Sequence, residues 1–273
     1  MYSRFIICAR ALVILFACIG IVTTTIFLAM QFGWLNVRGG IAARNAFFEN
    51  ARASSTLERK QPAATSPWYD TDEWHTVAAG LEKDKSVILH VAEETGVSAR
   101  LIAAVAVPEQ LRFFTANREV FKRYFEPFKL LGTLSQFSLG VTGIKPETAE
   151  RIESYANDPE SEFYPGEKIA ALMPPSDDEA RFLRLTDEDD HYYQYLYTAL
   201  FIAEIQAQWK KAGHADVLTP GVITTLFNIG FDRSNPNAKP EVGGAPIELG
   251  GATYTYGELG ASFYESTELP VFH

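Results

Sequence analysis

A chain of 273 residues with 47% apolar content is long enough to bury one full-sized core, and its formal net charge of −10 excludes the clustered Lys and Arg that a nucleic-acid partner requires. Cys8 and Cys18 are its only cysteines. Both lie near the N-terminus, so the rest of the chain can hold neither a disulfide, nor a thiolate metal site, nor a cysteine nucleophile.

The N-terminal stretch is a different material from the remainder. From Ala11 to Phe32 no residue carries a charge, and a helix of about 22 residues covers about 33 Å, enough to span a hydrocarbon core. Leu28-Ala-Met-Gln-Phe32 offers no A-x-A cleavage pattern. Cys18 follows a bulky Phe16 inside a run that continues past it, which argues against lipid attachment. The expectation is an uncleaved single-pass anchor over residues 1–35. Arg4 and Arg10 precede the span while Arg38, Arg44 and Arg52 follow it, so loop charge does not decide the orientation.

Residues 36–67 are Ala-rich and polar, end in Gln61-Pro-Ala-Ala-Thr-Ser-Pro67, and show no apolar period. They read as a linker, which leaves residues 68–273 as the folded domain. Apolar positions from Val77 through Leu81, Ile88 and Val91 predict one helix from about Asp70 to the stop at Gly96. Ser98 suits the cap of a second helix, Ala99 to about Arg112, whose apolarity on every side predicts a central position. A helix is expected over Arg118–Phe125, a loop over Leu131–Gly143, and a further helix from Pro146 to about Tyr155.

Ser176-Asp-Asp-Glu179 reads as a capping box, and Thr186-Asp-Glu-Asp189 as the acidic start of a long helix ending near Lys211, before Gly213. Thr219-Pro220 opens another helix through Ile223, Leu226 and Phe227. The Gly-rich stretch from Gly243 to Phe263 alternates as a small hairpin does. The fold class expected is therefore mainly α with one small β-hairpin.

Three segments carry the candidate chemistry: Leu101-Ile-Ala-Ala-Val-Ala-Val-Pro-Glu109, Ser138-Leu-Gly-Val-Thr-Gly-Ile-Lys-Pro-Glu-Thr-Ala149 and Thr225-Leu-Phe-Asn-Ile-Gly230. A carboxylic acid that donates a proton in catalysis must still hold it near neutral pH. Glu109 follows Val107 and Pro108 and precedes Leu111, Phe113 and Phe114. Apolar neighbours and a nearby helix C-terminus would both disfavour a charge there, and on that reading a neutral Gln at 109 costs little stability.

In order and spacing these segments resemble the lytic transglycosylase and goose-type lysozyme superfamily, and the resemblance covers residues 68–230. It implies a lysozyme-like domain in which Glu109 is the catalytic acid and Gln110, Ser138, Leu139, Gly140, Gly143, Phe227 and Asn228 line the sugar groove. It also implies peptidoglycan glycan strands as substrate, cleaved between N-acetylmuramic acid and N-acetylglucosamine to leave 1,6-anhydro ends, with no cofactor and no metal. The domain would then stand outside the cytoplasm, tethered to the cytoplasmic membrane by its N-terminal helix, with an envelope or secretion complex as a further partner. Departures are Gln110, where the family has Ser, Gly143, where it has Gln, and Phe227, where it has Tyr. Each alters a polar group of the groove, so the alternative is a non-catalytic wall-binding or envelope scaffold.

Other signals are weaker. Asp187-Glu-Asp-Asp-His191 has the residue types of a metal site, but an acidic helix start explains it. Tyr192, Tyr193, Tyr195, Tyr197 and Phe201 cover more than one helix face, as core and groove wall do, and one of them could stack on a sugar. The five histidines form no zinc-protease pattern.

Overall fold

In the computed structural model the described residues are 66–115, 141–173, 177–187 and 189–273, together with Phe16, Gly20, Ile21, Val22 and Thr24. The chain divides into two compact units, residues 1–61 and 62–273. The five described residues of the first unit are helical. These five fall within the expected span Ala11–Phe32; the rest of that span and most of the linker lie outside the described residues. Among the described residues no helix is long and apolar enough to cross a membrane.

The second unit is mainly α, with one two-stranded antiparallel sheet. A 3-10 turn, Pro67–Asp70, leads into α1, Asp72–Lys83, whose first turn is capped by the Thr71 hydroxyl accepting from Trp74 N at 3.2 Å. Trp68 and Tyr69 are buried against Trp74, which in turn meets Phe263. The predicted long helix to Gly96 is in fact two, because α2 restarts at Lys85 and runs to Thr95. Asp84 breaks it: its buried carboxylate leaves the helix surface to accept from His191 Nδ1 at 2.7 Å and from the Tyr195 hydroxyl at 2.9 Å. Gly96, at φ 74°, ends α2 as expected.

Helix α3, Ala99–Thr115, continues three residues beyond the expected end near Arg112 and keeps Pro108 inside it. Residues 101–107 and Leu111 are buried on all sides, so α3 is the axis of the domain. Arg100, at its start, is buried and donates to the carbonyls of Tyr264, Ser266 and Leu269 at 3.3, 2.8 and 3.4 Å and to those of Phe263 and Glu268. One guanidinium thereby satisfies the carbonyls that the last helix leaves open and pins the C-terminal segment to the core.

After the turn 141–143 comes α4, Pro146–Ala156, with Pro in its first turn as predicted. A short α5, Glu167–Ala170, precedes α6, Asp178–Thr186. Its cap is Asp177, accepting from Ala180 N at 2.8 Å, one residue later than the expected box at Ser176, which lies outside the described residues. The acidic run is not the first turn of the long helix. Thr186 closes α6, Asp187 accepts from the N–H groups of Asp189 and Asp190 in the connection, and α7 spans Tyr192–Lys211. Tyr195, Tyr197 and Phe201 of α7 are core. Arg181 of α6 forks onto Glu153 of α4, which also accepts from Tyr197, locking α4, α6 and α7 together.

Helix α8, Pro220–Ile229, starts as predicted, with the Thr219 hydroxyl accepting from Val222 N at 3.4 Å. The hairpin of β1, Pro246–Leu249, and β2, Ala252–Thr255, pairs Ile247 with Tyr254 and Leu249 with Ala252. The hairpin expectation extended to Phe263, yet Tyr256–Glu265 is a helix, α9. Thr255 caps it and Glu258 reaches back to Thr255 N at 2.7 Å, a complete capping box. A Cβ on Gly257 would fall 2.2 Å from Thr225 Oγ1, and one on Gly260 2.4 Å from Thr224 Oγ1. These glycines are what let α9 lie directly on α8.

Candidate functional site

Glu109 projects from α3 and is only 3% exposed. It stands in the helix interior rather than at a C-terminal end, since α3 runs on to Thr115; the end effect expected from the sequence fades beyond the last turn. Its surroundings are also less apolar than the sequence implied. One carboxylate oxygen, Oε1, accepts from Arg112 on the next turn, and the other, Oε2, accepts from the Tyr256 hydroxyl at the start of α9. The Arg112 guanidinium lies over the Tyr256 ring, 5.9 Å from its centre. Burial works against the charge on Arg112, and Glu109 with Tyr256 outweighs it, so the guanidinium is held even more firmly protonated than usual.

Gly143 closes a further side. It adopts φ 64°, and a Cβ there would fall 2.1 Å from Glu109 Oε1. Only glycine lets the backbone come this close to the carboxylate. The 141–143 turn is held in place by Gln194 of α7, which accepts from Val141 N at 2.6 Å, donates to the Asp187 carbonyl at 2.7 Å, and takes the Thr142 hydroxyl on its own carbonyl at 3.2 Å.

Asn228 does not touch Glu109. Its side-chain oxygen accepts from Ala245 N at 2.8 Å, Ala245 O accepts from Tyr256 N at 3.2 Å, and the Tyr256 hydroxyl reaches the carboxylate. Thr225 supports the same segment by accepting from Gly243 N at 2.9 Å. The third segment singled out in the sequence thus acts on the first through the fold of the C-terminal segment.

The other expected groove residues are placed differently. Gln110 turns away from Glu109 toward Gly80 and the Tyr195 hydroxyl. Phe227 is half-buried and packs edge-on to Phe201 at 5.1 Å. Ser138, Leu139 and Gly140 lie outside the described residues, as does the helix expected at Arg118–Phe125. Among the described residues no three His, Cys, Asp or Glu side chains come together as a cation site. His191 is instead bonded to Asp84, and the Tyr192 hydroxyl donates to Glu94 at 2.7 Å.

Two residues of this constellation had no place in the sequence reading. Arg112 was legible as an i, i+3 partner of Glu109 on one helix face. Tyr256 lies 147 residues from Glu109, and its only local signal was the Thr255-x-x-Glu258 cap that marks a helix start.

Chemically, the arrangement is a buried carboxylate fixed from two sides by hydrogen-bond donors and backed by bare backbone. Such a group can exchange a proton with a bound oxygen once one donor gives way. Compared with known proteins, the chain matches no family model, no curated protein and no solved structure.

Proposed function

We propose that residues 68–273 form a lysozyme-like, glycan-cleaving domain, anchored in the cytoplasmic membrane by the N-terminal segment and facing the cell wall. Glu109 serves as both acid and base. In the first step Glu109 gives its proton to the bridging oxygen as the bond from muramic C1 breaks, and the substrate's N-acetyl group steadies the cationic carbon. In the second, the Glu109 carboxylate takes the proton of the muramic C6 hydroxyl, whose oxygen bonds to C1. The product carries a 1,6-anhydro end, Glu109 is again protonated, and no water is consumed.

The observation that carries this reading is the convergence on one carboxylate of parts of the chain chosen for their likeness to the lytic transglycosylases. Gly143 packs on Glu109 directly, and Asn228 braces the segment bearing Tyr256. The departure at Gly143 is consistent with this geometry, because a side chain there would collide with Glu109 itself.

A second reading, the non-catalytic scaffold, draws on the Arg112 ion pair. Both carboxylate oxygens are engaged as acceptors, and neither is open to a glycan until a donor moves. Incubation of the full-length chain with purified peptidoglycan separates the two. Cleavage predicts soluble muropeptide fragments that Glu109→Gln fails to release; the scaffold predicts wall binding by both proteins and fragments from neither.

A further inference from the structure

Arg112 bonds Oε1 of Glu109 and is the more exposed of the two. Its side chain is 24% exposed while that of Glu109 is 4% exposed; the Tyr256 hydroxyl bonds the other carboxylate oxygen, and the Gly143 backbone packs on Oε1. A guanidinium held at the outer edge of a proton-transfer site, in a chain of net charge −10, is a poor partner for a neutral sugar. It is a strong one for an incoming carboxylate, which it can grip with two parallel hydrogen bonds.

We propose that Arg112 recognises a free carboxylate on the muramic residue at the scissile bond, and that this chain therefore acts on peptide-free glycan strands. This inference rests on the glycan-cleaving reading above. Each muramic sugar carries one lactyl carboxyl group. Where a stem peptide is attached that group is a neutral amide, and where the peptide has been removed it is an anion. An anionic lactyl group draws Arg112 off Glu109 Oε1. The freed oxygen then takes a proton from solvent and becomes the acid that the first step needs. A peptide-bearing strand offers Arg112 nothing better than Glu109, so the ion pair persists and Glu109 stays engaged. The same contact thus both selects the substrate and keeps the site quiet without it.

The test compares two soluble, uncross-linked glycan preparations, one with stem peptides and one stripped by an amidase, using the full-length protein. The wild type is expected to show kcat/KM higher by about tenfold to a hundredfold on stripped strands, the range set by one charge-assisted pair. Arg112→Met should bring the two rates to within about twofold of each other, and Arg112→Lys, which keeps the charge without the fork, should retain part of the preference. Binding of N-acetylmuramic acid against its methyl amide by the wild type gives a measure that needs no variant, and the acid should bind more tightly. Equal rates on both strands, or a preference for peptide-bearing ones, would overturn the role of Arg112 and leave the cleaving function standing. Equal binding of the acid and the amide would overturn it too. No cleavage of either strand would remove the cleaving function, and this inference with it.

Discussion

Replacing Glu109 by Gln probes the ion pair directly, and its expected effect is the reverse of what the sequence implied. The amide keeps the shape, and its oxygen can still accept from Arg112 while the Tyr256 hydroxyl turns to accept from the amide nitrogen. The hydrogen bonds survive, and what is lost is the negative charge facing a guanidinium that is only 24% exposed. Removing one partner of a fully buried pair costs about 3–5 kcal/mol, and partial access of water to Arg112 lowers this to about 1–3 kcal/mol. For a domain of this size each kcal/mol moves Tm by roughly 2–4 °C, so a fall of about 2–12 °C is expected. Tryptophan fluorescence reports the transition, since Trp68, Trp74 and Trp209 are buried. In an Arg112→Met background the same exchange should cost little, because the charge it leaves alone is already gone. If Glu109→Gln melts with the wild type in both backgrounds, the ion pair carries no energy and the reasoning fails.

Gly143→Ala should lower Tm and abolish cleavage together, because it both strains a residue at φ 64° and places a methyl group on Glu109; calorimetry beside a wall-digestion assay checks both, and an unchanged Tm would refute the close approach. Asn228→Ala leaves Ala245 N–H without its acceptor, at a cost of about 1–3 kcal/mol, and frees Tyr256 to wander. A loss of kcat with KM unchanged would mark it as a positioning residue, whereas a stability loss with normal kcat would not. Glu204 of α7 is fully buried, with neither carboxyl oxygen bonded among the described residues, and burial pushes its carboxyl well above the usual range. The folded form therefore holds a proton that the unfolded chain releases above its ordinary carboxyl range, so this group costs stability as pH rises from about 4 toward neutrality. Glu204→Met should gain little Tm near pH 4 and progressively more toward pH 7–8; a gain independent of pH would contradict this.

Features governed by neighbouring residues were readable from the sequence. Thr219 before Pro220, Pro146 and Gly96 each act within one helical turn, and the unbroken apolar run of 101–107 could only be a central helix. Features governed by distant partners were hidden. The period of Val77, Leu81, Ile88 and Val91 continues across Asp84, and the break there answers to His191, 107 residues away. The acidic run 187–190 has the composition of a helix start, but it precedes the helix: Asp187 binds the connection's own N–H groups, and Asp190 accepts from the first N–H of α7, at Tyr192. In the C-terminal segment, Gly257 and Gly260 suggested strand and turn, because their actual purpose, room for Thr224 and Thr225, depends on α8. Missing α9 meant missing Tyr256. Glu109 stands out in the sequence by its place in an order of motifs, while its ion-pair partner Arg112 lies on the next turn of the same helix.

The central claim is that one carboxylate, Glu109, cleaves the glycan without consuming water. Mass spectrometry of peptide-free strands digested in H₂¹⁸O tests it most directly. The account predicts fragments ending in 1,6-anhydromuramic residues with no ¹⁸O incorporated, and none of these from Glu109→Gln. Reducing ends carrying one ¹⁸O would show hydrolysis instead, and fragments released equally by Glu109→Gln would take Glu109 out of the mechanism.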